Sequence, residues 1–422
     1  MGISELLMAL LAIFAAAKLF GELAERVGQP AVLGEMVGGI VIGVSGLHWI
    51  NAHDPLLHVL AELGVILLLF LIGLETDLNR LLSVGGAAGA VAATGVVLPF
   101  AAGYGVGAWL DYPTTVSVFL GAALTATSVG ITARVLSDLG HLKSDESQVI
   151  LGAAVIDDIL GLVLLTVISA VAAGAKLTAL GVTKIFAVAF GFVALAVILG
   201  SLLAPRLIAL VTRVRVGKAL FFASIMFAFG LAYLADLAGS ALIIGAFAAG
   251  LVLAKTDRGR DIEREVYDVA QFFIPIFFVS VGAAIDLKAV SPFHADTRQF
   301  FIIGILLTVV AIVGKLLAGF AAFGRPLRKL VIGVGMIPRG EVGLIFAKLG
   351  LSAGLLSTGL YTSVALMVMI TTFVAPPALR ALLAKQVHED NESALCDVVT
   401  EALSDDDGPR QGEPRAEETA RR

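Results

Sequence analysis

A single cysteine, Cys396, stands in the whole chain, near its C-terminal end. That excludes a disulfide framework and a cysteine-based metal site. Charge is nearly as scarce. Asp, Glu, Lys and Arg supply 15% of the residues, against about 25% in soluble domains. The six histidines are His48, His53, His58, His141, His294 and His388, and all fall in loops, near the ends of apolar runs or in the polar C-terminal stretch. This argues against a deep histidine relay and a histidine-held divalent metal. No basic n-region precedes the first apolar segment, so that segment reads as a retained helix rather than a signal peptide. Past Lys385 the chain turns polar, with HEDNESALCDVV and then SDDDGPRQGEPRAEETARR, and no nucleotide-binding domain is expected there.

Apolar residues fill the space. They make up 58% of 422 residues, and the mean hydropathy is +0.97. One soluble core cannot hide that much apolar surface, so the composition predicts an all-α polytopic membrane protein. The 46 glycines suit close helix packing and interrupted helices. A helical span needs about 20 apolar residues. Thirteen segments qualify: 5–25, 30–47, 57–76, 83–110, 115–138, 146–173, 180–204, 218–236, 240–256, 266–285, 298–323, 329–349 and 356–384. One set of alternating loops holds 17 Lys and Arg, among them Arg206, Arg213, Arg215 and Lys218. The other set holds four: Lys176, Lys184, Lys288 and Arg298. The positive-inside rule then puts the N-terminus outside and the C-terminus in the cytoplasm. Residues 386–422 read as a disordered cytoplasmic tail.

Two halves of the chain resemble each other. AVLG with Gly34 and Gly39 matches LIIG with Gly245 and Gly250. LIGLETDL with Gly73 and Asp77 matches VSVGAAIDL with Gly282 and Asp286. TATSVGI with Gly130 matches PRGEVGL with Gly343. The offsets are 211, 209 and 213, so order and spacing are kept. Matched spans lie seven apart, an odd number, which gives the halves opposite orientation. Inverted-topology repeats belong to secondary transporters, whose sites lie where corresponding helices are interrupted. Thr125-Ala126-Thr127-Ser128 in the fifth span and Pro338-Arg339-Gly340-Glu341 in the twelfth are such interruptions. Four half-helix ends would meet there, with partial charges that Arg339 and Glu341 can compensate. The structural alternative is a pair of kinked helices with a surface Arg/Glu pair.

Few ionisable residues lie deep in the spans. The sixth span reads AAVIDDILGLVLL, with Asp157 and Asp158 at its middle. A carboxylate at the bilayer centre costs roughly 2.5–3.5 kcal/mol. Lys315 is deep in the eleventh span, within VVAIVGKLLAGF. Lys18, Glu22, Glu35 and Glu62 are nearer span ends, within reach of the interface. Neighbouring helix residues point about 100° apart, so Asp157 and Asp158 do not share one partner. One can pair with Lys315, and the other can bind a cation or a proton. Burial and pairing push protonation in opposite directions, so the cluster can be poised to exchange protons near neutral pH. The structural alternative is an ion pair with a spare, protonated carboxyl.

VIDDILGLV, TATSVGITARVL, GLETDL, GMIPRGEVGLI and VGKLLAG together resemble the bacterial monovalent cation:proton antiporter family 2, and within it the NapA-type Na+/H+ antiporters, over about residues 5–385. The resemblance implies an NhaA/NapA-like antiporter fold of 13 transmembrane helices in two inverted six-helix repeats with crossed discontinuous helices. It implies a homodimer in the bacterial inner membrane. A dimerisation domain would comprise 5–76 and 218–285, an ion-translocating core 83–173 and 298–385, and a linker helix 180–217. It implies elevator-type alternating access, with Na+ and H+ competing at Asp158. Asp157 would pair with Lys315, Thr127 and Ser128 would lie beside the ion, and Thr125, Arg339 and Glu341 would belong to the helix crossing. Two aspartates with a lysine resemble the electrogenic subgroup. The partners are monovalent cations, protons and the bilayer, with no nucleic acid and no cofactor.

K+/H+ or broad-specificity exchange on the same fold is the nearest alternative. A cation channel would use the aspartates as a ring, which an inverted repeat does not favour. An intramembrane aspartyl protease needs carboxylates facing each other from two segments, which adjacent residues on one helix do not provide. A bile-acid-type symporter shares the general architecture.

Overall fold

The computed structural model describes residues 2–51, 54–172, 179–211, 218–238, 241–286, 295–324 and 326–405. All regular structure among them is helical. In order the helices are α1 (Ile3–Arg26), α2 (Ala31–Ile42), α3 (Pro55–Glu75), α4 (Leu78–Ser83), α5 (Gly85–Trp109), α6 (Thr114–Ala123), α7 (Val129–Asp138), α8 (Asp145–Ala172), α9 (Ala179–Val211), α10 (Ala219–Leu237), α11 (Leu242–Ala254), α12 (Gly259–Ala283), α13 (Ala295–Gly319), α14 (Lys329–Gly335), α15 (Glu341–Ser352) and α16 (Thr358–Asp405). Among the described residues eight helices are long and apolar enough to cross a membrane, and α2, α6, α11 and parts of α9 and α15 are shorter apolar segments. Met1–Arg380 form one compact unit and Ala381–Arg422 another. The polar segment after Lys385 begins as helix, since α16 continues to Asp405, and 406–422 lie outside the described residues.

Two apolar clusters organise the first unit. One joins α1, α2, α3 and α12 through Ile13, Ala17, Ile42, Leu57, Ile276 and Val279. The other joins α5, α6, α13, α15 and α16 through Val106, Leu120, Leu307, Phe346, Val364 and Met367. The helices of each set, and α11 against α3, approach to backbone distance at glycines. A Cβ on Gly39 would lie 2.1 Å from the Val279 carbonyl oxygen, and one on Gly250 would lie 2.3 Å from that of Phe70. In the second set a Cβ on Gly121 would lie 2.6 Å from the Phe100 carbonyl oxygen. Where α7 meets α3 the contact is of another kind. The three atoms nearest a Cβ on Gly130 would be side-chain tips of Val65, Leu68 and Leu69, at 3.5–3.8 Å.

The span-end expectation fails at Glu35. This side chain is 6% exposed and does not reach the interface. It is buried on α2, with Arg134 and Asp138 of α7 and Lys18 of α1 within electrostatic reach. The helix places it on the packed face, a direction that its distance from the span end does not reveal.

Candidate functional site: a crossing of two broken helices

The break between α6 and α7 follows from Thr125-Ala126-Thr127-Ser128. The last turn of α6 tightens, with the N–H groups of Leu124 and Thr125 reaching carbonyls three residues back, at Gly121 and Ala122. The Thr125 hydroxyl also donates to the Ala122 carbonyl, at 2.8 Å. Side-chain bonds of this kind compete with the helix ladder. The break between α14 and α15 follows from Pro338, which has no N–H to donate, and from Gly340, which precedes the first turn of α15.

The two breaks cross and exchange the hydrogen bonds that each helix has lost. The Ser128 N–H donates to the Pro338 carbonyl at 2.8 Å. Thr127 Oγ1 donates to the Met336 carbonyl at 3.4 Å, and Thr132 Oγ1 to that of Gly335 at 2.6 Å. In return Arg339 Nη1 donates to the Ala126 carbonyl at 3.1 Å. The Thr372 hydroxyl of α16 donates to the Arg339 carbonyl at 2.6 Å. Two helix C-termini and two N-termini meet here, with partial charges of about half a unit each. Arg339 is fully buried and lays its cation on the α6 carbonyl side. Thr125 is also fully buried. The Glu341 backbone opens α15, and its side chain lies outside the described residues.

Beside the crossing, Lys315 Nζ of α13 donates to Asp157 Oδ2 of α8 at 2.9 Å, and neither side chain has any solvent exposure. Gly95 of α5 makes room for the lysine, because a Cβ there would lie 3.1 Å from Nζ. Asp158 is 6% exposed and turns another way. It lies at the inner end of a cavity of about 670 Å³ with Ser128, Arg339 and Gly340. The cavity extends to His58, Glu62, Asp286 and Tyr361. His58 Nε2 and Glu62 Oε1 are 3.2 Å apart there, the histidine largely exposed and the glutamate about half exposed. The site thus joins Asp157 with Lys315 and Asp158 with Thr127, Ser128 and Arg339.

Thr372 and Gly95 are contributors outside the motifs, and Thr132 lies inside TATSVGITARVL without a role assigned to it. A threonine or glycine inside a helix carries no signal of the partner it meets elsewhere in the chain, 203 residues away for Thr132 and 33 for Thr372. Thr132→Val keeps the shape and removes the donor to the Gly335 carbonyl. An unsatisfied buried polar group costs about 1–3 kcal/mol. A lowered thermal unfolding midpoint of the purified protein is therefore expected, and an unchanged midpoint would show that the carbonyl does not depend on this hydroxyl.

Interrupted helices crossing beside buried charges, inside a bundle of apolar helices, define the class of secondary transporters. Sequence comparison narrows this. The sodium/hydrogen exchanger family, transmembrane, matches residues 9–385. The chain is 41% identical to the high-affinity Na+/H+ antiporter NhaS3 of Synechocystis sp., over 90% of each chain. It is 39% identical to the Na+/H+-K+ antiporter GerN of Bacillus cereus, over 86% of this chain and 92% of that one. In fold it resembles the sodium proton antiporter MjNhaP1 of Methanocaldococcus jannaschii, with a TM-score of 0.68, 18% identity and coverage of 91% and 96%. The chain belongs to the sodium/hydrogen exchanger family. It is a multi-pass membrane cation:proton antiporter, not an enzyme.

Proposed function

We propose that this protein exchanges Na+ for H+ electrogenically, with both ions competing at Asp158. The observation that carries the reading is the division of labour between adjacent aspartates. Asp157 is sealed against Lys315, whereas Asp158 stands at the end of a cavity that extends to exposed residues. Ionised Asp157, Asp158, Lys315 and Arg339 sum to zero charge. A cation bound at Asp158 makes the sum positive, which favours loss of a proton from Lys315. Protonation of Asp158 expels the cation and restores the Lys315–Asp157 pair. One turnover then moves two protons, one from each site, against one cation.

The packing supports alternating access. Glycine contacts at backbone distance lock α2 to α12 and α3 to α11, and lock α5 to α6. At Gly130 the α7–α3 contact is made by side-chain tips, which can slide. We read the first group as a dimerisation domain, comprising 5–76 and 218–285. The second is a moving core of 83–173 and 298–385, and α9 belongs to the linker at 180–217. Thirteen spans result when α6 with α7, and α14 with α15, each cross as one broken helix. The inverted repeat gains support from paired contacts. Gly39 faces the Val279 carbonyl and the Gly282 Cα, and Gly250 faces the Phe70 carbonyl and the Gly73 Cα. These are the same contacts with the halves exchanged. With the N-terminus outside, the cavity mouth at His58 and Glu62 is external, so the arrangement is outward-open. The membrane is the bacterial inner membrane, and the working form is a homodimer.

The test is proton flux in proteoliposomes with an imposed pH gradient, adding Na+, Li+ and K+ in turn. Dissipation by Na+ with little by K+ is expected. An equal response to K+ would favour the second reading, a broad Na+/K+ exchanger, which the name of GerN suggests. No response to any cation would overturn both.

A further inference from the structure

A second and much smaller space adjoins Asp158, a pocket of about 10 Å³. That is room for one water-sized occupant. Its polar walls are Asp158, Thr127 and Ser128, Gly340 forms part of the lining, and Val65 and Phe277 close it from α3 and α12.

Gly340 is a tight point in this wall. A Cβ there would stand 2.9 Å from both Cβ and Oγ of Ser128. Carbon atoms pack best at about 3.5–4.0 Å. The backbone itself makes no demand for glycine. Its φ of −128° and ψ of −150° are extended, and an alanine adopts such angles without strain. Glycine is required only because Ser128 stands opposite. Nor can the breaks part to admit a methyl, because the Ser128 N–H is held on the Pro338 carbonyl at 2.8 Å. Any added group at 340 must therefore intrude on the pocket, directly or by pushing the Ser128 side chain into it. That side chain forms no capping bond to α7, so the helix does not hold it back.

We propose that Gly340, set against Ser128, fixes the size of the cation that the Asp158 pocket accepts. The inference rests on the reading of Asp158 as the cation carboxylate. Dehydrated Li+ is smaller than Na+, and Na+ smaller than K+, so narrowing the pocket penalises them in the reverse order. Discrimination by one methylene group is worth about 10–200-fold.

The experiment compares wild type, Gly340→Ala, Ser128→Gly and Asp158→Asn in proteoliposomes, with apparent KM measured for Li+, Na+ and K+. Gly340→Ala is expected to shift preference toward Li+ over Na+ by about tenfold or more. Ser128→Gly is expected to shift it toward the larger cations. Glycine is well tolerated at a helix N-cap, at a cost of only a few tenths of a kcal/mol. A uniform change in all the apparent KM values, with the preference ratios kept, would overturn the proposal. Should Gly340→Ala prove inactive or unstable, Ser128→Gly decides alone by the same criterion. Cation-driven exchange persisting in Asp158→Asn would sink the Asp158 reading instead, whatever the other two variants do.

Discussion

Asp158→Asn is expected to bring cation-driven proton flux down to the level of protein-free liposomes while leaving the fold intact. Asparagine has nearly the same shape and keeps polar atoms at the inner end of the cavity, where Asp158 is 6% exposed. What it lacks is the negative charge and the exchangeable proton. Removing one partner of a buried ion pair costs about 3–5 kcal/mol. Each 1.4 kcal/mol is tenfold in affinity, so a cation held by this carboxylate loses a factor on the order of 100 or more. The Lys315–Asp157 pair is untouched, and the unfolding midpoint of the purified variant should therefore stay near that of wild type. Flux with Na+ at wild-type rates would remove Asp158 from the mechanism. Lost flux with a collapsed midpoint would mean that the residue is structural.

Lys315→Ala should act on stability and on charge movement together. The lysine has no solvent exposure and donates to Asp157 at 2.9 Å. Deleting it leaves a buried carboxylate without its cation, a loss of about 3–5 kcal/mol. The unfolding midpoint in detergent should fall clearly. Adding Asp157→Asn should recover much of the loss, because the uncompensated charge is then gone and the two changes are not additive. A double variant no more stable than Lys315→Ala would mean that lost packing beside Gly95, not charge, dominates. The second readout is voltage. If Lys315 carries one of the protons, any surviving exchange in the variant becomes insensitive to an imposed membrane potential. Voltage dependence equal to wild type would overturn that role.

Much of this arrangement is legible in the chain itself. Helix-breaking chemistry is local, so Thr125 to Ser128 and Pro338 to Gly340 mark the two interruptions without reference to the rest of the molecule. Intramembrane charge is conspicuous because it is expensive, so Asp157, Asp158 and Lys315 stand out from an apolar background. Glu35 is the counterexample. Its place near a span end points to the interface, yet it is buried, with Arg134 and Asp138 of α7 within electrostatic reach. Burial depends on which neighbour covers a helix face, and that information lies on another helix.

What the sequence determined by itself is therefore the class of the protein, the places where two helices break, and the small set of charges that must be answered inside the membrane. Helix geometry alone leaves open which aspartate faces Lys315 and only the family resemblance names Asp157; the tertiary structure makes that pair through the rotation of α8 about its own axis. Two adjacent residues differ there by about 100°, and the packing of α5 and α13 turns Asp157 toward the lysine. The same holds for Thr132, Thr372, Gly95 and the pairing of Gly340 with Ser128. Each is an ordinary residue in its own segment, and each acquires its part only when segments far apart in the chain are brought within hydrogen-bond or van der Waals distance.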